Sequence, residues 1–183
     1  MGKRCLIFID WQKGFRDLDY WGPRNNPQAE ENAARLLKYW RENGWPVIHV
    51  RHDSVDEESV LRPGQFGNEI EDFALPVADE PVYGKSVNSA FIGTTLEADL
   101  RAWQISELVF SGATTDHCVN TTVRMAANLG FAVTIAADAC FTFDRTTVDG
   151  RKLDAQTIHD VHLASLRNEF ARVASVEQII EEL

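Results

Sequence analysis

The chain has 183 residues, 44% of them hydrophobic and 25% charged, enough to bury the core of one α/β domain over 1–183. A formal net charge of −10 leaves no basic face for nucleic acid or an anionic membrane. No apolar run approaches the ~20 residues of a membrane span, the opening "MGKRCLIFIDWQKGF" reads as a strand and not a leader, and three cysteines without metal-type spacing suit a reducing, cytoplasmic setting.

Apolar runs alternate with helix-period segments from end to end. "RCLIFID" shows little alternation, as expected of a strand covered on both faces. Asn26-Pro27 reads as an N-cap followed by proline, Ala33, Leu36, Leu37 and Trp40 recur at helical spacing, and Gly44 is a natural stop. "PVIHVRH" (46–52) is the second strand. Residues 53–80 are polar and punctuated by Pro and Gly, a length typical of functional lids or interface segments. "EPVYGKS" makes a short third strand, and Thr94 or Thr95 caps a helix carrying Leu96, Leu100 and Trp103. "ELVFSGA" is the fourth strand, followed by a helix from about Asp116 to Leu129 that Gly130 ends. "FAVTIAADA", a helix over about 154–169, a weak strand in "ARVASV" and a terminal helix capped by Ser175 close the series. Repeated strand–helix units predict a parallel sheet wrapped by helices on both faces.

In such sheets ligands gather beyond the carboxyl ends of strands, at the point where the winding direction switches. Asp10 closes strand one, Lys85 closes strand three, and Cys118 opens the helix after strand four, next to strand one in the common winding. Lys85 is less well fixed, because strand three lies further out. A thiol at a helix start faces free N–H groups and a positive dipole end, which favour the thiolate and can hold an oxyanion. Asp10 would take the thiol proton and return it to a leaving amine, and Lys85 would add positive charge. Each residue also has a plain structural reading: a buried thiol, a turn cap, a solvated cation. Cys5 and Cys140 lie in apolar strand runs and read as inert. A Cys–His dyad and a thiol-redox protein pairing Cys118 with Cys140 are alternatives. A nucleotide-binding module is disfavoured, because no Gly-x-Gly-x-x-Gly or phosphate loop follows strand one.

Three blocks, "IDWQKGF" (9–15), "KSVNSAF" (85–91) and "GATTDHCV" (112–119), occur in the order and spacing of the isochorismatase-like cysteine hydrolases, which the sequence resembles over nearly its whole length. The resemblance implies a three-layer α-β-α fold on a six-stranded, mostly parallel sheet. It implies a catalytic triad of Asp10, Lys85 and Cys118, a non-proline cis peptide at Ala113–Thr114, and an oxyanion hole from the Thr114 and Cys118 amides. Phe15 and Phe91 would be apolar pocket walls, with Trp21 and Asp116 as further candidates for substrate contact. Metal-dependent relatives carry an Asp-x-His pair after strand two and another histidine beyond it. Here "HVRHDSVDEES" lacks that set, so no metal or other cofactor is expected, although His52 and Asp53 could meet an ion. The implied reaction is cleavage of a C–N bond in a small amide, ureido or carbamoyl compound through a thioester. Vinyl ether hydrolysis is the alternative within the family, and a dimer or tetramer is the expected assembly. Arg51 would join a surface ion pair or meet an anionic substrate. His49 would pack or hydrogen-bond within its strand, and His159 and His162, three apart on one helix, would share a partly exposed face or bind metal.

Overall fold

The computed structural model of the protein describes residues 3–183. β1 (Lys3–Ile9) sends Cys5, Ile7 and Ile9 to one face of the sheet and Leu6 and Phe8 to the other, and all five are buried. A strand apolar on both faces must be covered on both, and the following elements supply the cover. The chain runs on through α1 (Leu18–Trp21), α2 (Ala29–Glu42), β2 (Val47–His52), β3 (Val82–Lys85), α3 (Leu96–Ala102) and β4 (Ile105–Ala113). A π-helical turn, Thr115–Val119, then leads into α4 (Asn120–Asn128) and β5 (Ala132–Phe141). The short strands β6 (Arg145–Thr146) and β7 (Lys152–Leu153), α5 (Ala155–Leu166), β8 (Arg172–Ala174) and α6 (Val176–Glu181) follow.

Six strands form one sheet in the order β3-β2-β1-β4-β5-β8, and every pairing in it is parallel. β6 and β7 form a separate antiparallel pair. The winding reverses between β1 and β4, which are neighbours, so the switch point lies where Asp10 and the Cys118 turn leave the sheet. α2 and α6 cover the Leu6/Phe8 face through Ala33, Leu36, Leu37, Trp40 and Ile179. The other face is covered by Leu96 and Leu100 of α3, Val123 of α4 and Leu163 of α5. Each of these leucine, isoleucine and valine side chains contributes about 1.5–3 kcal/mol on burial.

The starts of α2 and α3 differ in detail from the expectation. α2 begins at Ala29, not after Asn26, and its N-cap Gln28 makes no side-chain bond. Asn26 instead adopts φ +46 and donates through Nδ2 to the carbonyls of Ala137 and Cys140 on β5, a tertiary pairing that takes the place of a cap. Of the two threonines expected to cap α3, Thr94 accepts the Leu96 N–H through Oγ1 at 3.4 Å, while Thr95 makes no cap bond and its hydroxyl bonds Asp99. Residues 53–80 form a lobe fastened to the start of the chain: Gln12 bonds the Asn68 carbonyl, Lys13 pairs with Glu69 and Arg16 with Glu71. Ser175 caps α6 as expected, in a capping box with Gln178.

His49 is buried and meets Glu80 Oε2 at 2.9 Å, across to the segment before β3 and not within its own strand. Burial alone would raise the Glu80 pKa, but bonds from Arg41, His49 and the Val77 N–H hold it down, from 4.5 to about 2. A carboxylate with a depressed folded pKa contributes stability that is complete above its unfolded value and disappears as pH falls towards the folded one. Glu80→Gln should therefore cost about 2–3 kcal/mol at pH 7. In urea melts, the difference from wild type should shrink as pH falls from about 4.5 towards 2; a difference constant across that window would count against this role.

Candidate active site

Asp10 directly follows β1 and is wholly buried, with φ +50, an uncommon conformation for a residue with a side chain. Its N–H is tied to the Val50 carbonyl of β2. Lys85 ends β3 at the sheet edge, two strands and about 10 Å from β1. Its long side chain lies back over β2 and puts Nζ 2.7 Å from Asp10 Oδ2 and 3.3 Å from Cys118 Sγ. Both side chains of the Lys85–Asp10 pair are 0% exposed. The structure thus brings Asp10, Lys85 and Cys118 into one cluster, from a strand end, an edge strand and the turn after β4. Burial alone would lower the Lys85 pKa, but the charges of Asp10 and Cys118 and their hydrogen bonds outweigh it and the net direction is up. Lys85 is an ammonium.

Cys118 does not sit in the first turn of an α-helix. It lies in the π-turn Thr115–Val119, where both the His117 and the Val119 N–H groups bond the Thr114 carbonyl, at 3.1 and 3.2 Å. The bond from the Val119 N–H spans five residues, the wider spacing of a π-turn, and such turns recur at functional sites. The Ala113–Thr114 peptide is cis. Burial, and then the Asp10 charge, push the Cys118 pKa up against the lowering by Lys85. Cys5 and Cys140 are fully buried free thiols, and burial pushes Cys140 up to about 12.

Two partners of the cluster were not placed there from the sequence, which named His52 only as a residue that could meet an ion and did not name Asn88. His52, the last residue of β2, places Nδ1 3.0 Å from Lys85 Nζ, and Asn88 Oδ1 lies 3.7 Å from Cys118 Sγ. His52 obeys the same strand-end rule that selected Asp10 and Lys85, and applying that rule to β2 would have found it. Its backbone is clamped: Gln12 Oε1 accepts its N–H at 2.8 Å, while Gln12 Nε2 and Asn68 Nδ2 both donate to its carbonyl at 3.0 Å. Asp10, His52 and Cys118 offer ligand atoms within 4.8 Å of one another. The Lys85 ammonium contacts all three, however, and takes the position a metal ion would need. Asp53 is engaged elsewhere, with Arg51 and Asn68.

Residues 4–178 match the isochorismatase domain. The chain belongs to the isochorismatase family. It is 42% identical to the isochorismatase family protein YrdC of Bacillus subtilis over 180 residues, 98% of this chain and 96% of that one. A crystal structure of an isochorismatase-family protein from Chromobacterium violaceum superposes with a TM-score of 0.94 at 49% identity, covering 98% of this chain and 92% of that one. The ureidoacrylate amidohydrolase RutB of Methylobacterium radiotolerans is 25% identical over 167 residues, 81% of this chain and 61% of that one. The three-layer fold is that of the family, and the family is hydrolytic.

In this isochorismatase-family hydrolase the remaining candidates fall into two groups. Phe15 is buried and packs at 5.0 Å on Trp21, and both stack on Phe143. Trp21 also donates to the Gly14 carbonyl. Phe91 is placed differently from a pocket wall: its ring stacks on Phe131, which precedes β5 at the sheet end opposite Asp10, so it packs the core beneath α4. The Asp116 carboxylate is taken up by Arg145, at 2.7 Å, and by Thr142. Burial would raise its pKa, but these bonds hold it below the usual range, so it braces the Cys118 turn instead of offering a free group. The two histidines of α5 brace the same region: buried His159 meets Thr115 Oγ1 at 2.8 Å, and His162 meets Asn120 at 3.2 Å. Thr114 is buried, and its hydroxyl has no partner among the described residues. No helix among those residues is long and apolar enough to cross a membrane.

Proposed function

We propose that this protein cleaves a C–N bond of a small amide, ureido or carbamoyl compound, with Cys118 as nucleophile. The observation that carries the reading is the contact of one buried ammonium with both a carboxylate and a thiol, 2.7 Å and 3.3 Å away. Asp10 takes the thiol proton as sulfur attacks the substrate carbonyl, and the carbonyl electron pair moves to oxygen. The N–H groups of Thr114 and Cys118 receive that oxyanion. On collapse the C–N bond breaks, the proton passes from Asp10 to the departing nitrogen, and ammonia or an amine leaves a thioester on Cys118. Water then gives a proton to Asp10 and attacks the thioester, and the released sulfur recovers the proton. Lys85 stays charged throughout and offsets each transient anion. A raised thiol pKa suits this sequence, because the proton leaves only as the S–C bond forms.

The name of the relative RutB, an amidohydrolase, supports the C–N bond over a vinyl ether. The test is a panel of small amides, ureido acids and carbamoyl compounds assayed for ammonia or amine release, with acid-quenched intact-mass analysis. One accepted compound should leave its acyl mass on Cys118, and Cys118→Ala should show neither adduct nor turnover. Turnover that survives Cys118→Ala would overturn the nucleophile assignment.

A further inference from the structure

We infer that His52 is a positioning residue of this site: through Nδ1 it accepts the third N–H of the Lys85 ammonium and so fixes that cation between Asp10 and Cys118. An ammonium carries three N–H donors. Lys85 has three acceptors, Asp10 Oδ2 at 2.7 Å, His52 Nδ1 at 3.0 Å and Cys118 Sγ at 3.3 Å, one from each of three separate elements. The side chain is 0% exposed, so water cannot stand in for a missing partner. An N–H orphaned there would bear the full desolvation cost.

This donor arithmetic fixes the histidine's chemistry. Nδ1 accepts only if it carries no proton, so the ring is neutral with its proton on Nε2. The surroundings agree: burial first, and then the Lys85 charge, lower the His52 pKa against opposing pulls from Asp10 and Asp53. The same arithmetic excludes a Cys–His dyad built on His52, although it is near the thiol. The lone pair that a base would need is already directed at the ammonium. The clamp on the His52 backbone by Gln12 and Asn68 has a use in this light, because it sets the ring's height above β2. Without the ring, the ammonium would settle on its shortest contact, the Asp10 carboxylate, and draw away from the sulfur.

The inference rests on the cysteine-hydrolase reading only for its effect on turnover, so its first two tests need no substrate. In wild-type protein at pH 7, two-bond proton–nitrogen NMR correlation should show His52 as the Nε2–H tautomer; an Nδ1–H tautomer or an imidazolium would overturn the proposal. Iodoacetamide alkylation of Cys118, followed by peptide mass mapping at pH 8, supplies the second test. His52→Leu should slow it about tenfold, the loss of thiolate that goes with a one-unit rise in thiol pKa. His52→Asn keeps an acceptor near the Nδ1 position but cannot act as a base, and should stay within about threefold of wild type. On any amide the enzyme accepts, His52→Leu should lower kcat by about a hundredfold with KM little changed, and His52→Asn should recover most of it. Equal damage from both variants would make His52 a base, and no damage from either would make it a bystander; both results sink the proposal. Activity surviving in Cys118→Ala would instead remove the hydrolase reading while leaving the tautomer and alkylation results standing.

Discussion

Asp10→Asn is expected to lower kcat/KM by about a thousandfold while making Cys118 easier to alkylate. The first effect follows from losing the carboxylate that contacts the Lys85 ammonium at the thiol, since general acid–base partners typically contribute 10²–10⁴-fold. The second follows because the Asp10 charge is one of the causes that raise the thiol pKa and Lys85 is the cause that lowers it. Removing the carboxylate leaves ammonium and sulfur to pair, so more thiolate forms and less chemistry follows. Opposite movement of the two readouts separates a proton carrier from a group that merely activates sulfur. Stability should fall too, by about 3–5 kcal/mol, the usual cost of leaving one member of a buried ion pair alone. Its pH dependence has a definite sign. Without Asp10 the burial of Lys85 is opposed by Cys118 alone, so the folded pKa moves down and folding loses support wherever the lysine is charged. The penalty fades as pH rises towards the unfolded value of about 10.4. Urea melts should show a wide gap from wild type at pH 7 and a narrower one at pH 10, and a gap that widened with pH would contradict the assignment of charge.

The parts of this site that were legible in the sequence are those fixed by backbone topology. A polar residue ending an apolar run, in a chain that winds strand–helix–strand, must emerge at the carboxyl end of the sheet. β1 and β4 are neighbours there, so Asp10 and Cys118 follow almost from pattern alone. Lys85 was harder to place, because its role depends on side-chain reach across β2 and not on strand adjacency. The strand-end rule reaches His52 as well, but its role there needs the recognition that a buried ammonium must satisfy three donors. The turn around Cys118 shows where local patterns fail. "GATTDHCVNTT" has the composition of an ordinary helix start, and only the Val119-to-Thr114 bond reveals the wider spacing. Asn26 fails for the opposite reason: a good cap in isolation, it finds better acceptors on β5, 111 and 114 residues away. Phe91 follows a motif closely, yet a motif says nothing about which end of the sheet a ring points towards.

Gly112→Ala should be among the most damaging single substitutions in the chain, at a cost above about 4 kcal/mol. Gly112 pairs with Ile9 where β4 runs beside β1, one residue before Asp10 and two before Thr114. A Cβ there would stand 1.9 Å from the Ile9 carbonyl oxygen and 2.7 Å from its carbon, and φ is +149, a conformation that side chains rarely adopt. The obstacle is backbone in the middle of a packed sheet, so no rotamer change relieves it, and the two strands must part. Parting them would separate Asp10 from the Cys118 turn, and a displacement of about 1 Å at such a site costs about a hundredfold in rate. Any folded fraction should therefore be nearly inactive as well as unstable. Gly150→Ala provides the control: its φ is +84, but nothing lies within 4 Å of the added carbon. It should cost only the 1–2 kcal/mol of the left-handed conformation, with turnover unchanged. If urea melts placed Gly112→Ala within that same range, the close approach of β1 and β4 would not be what holds the carboxylate and the thiol together.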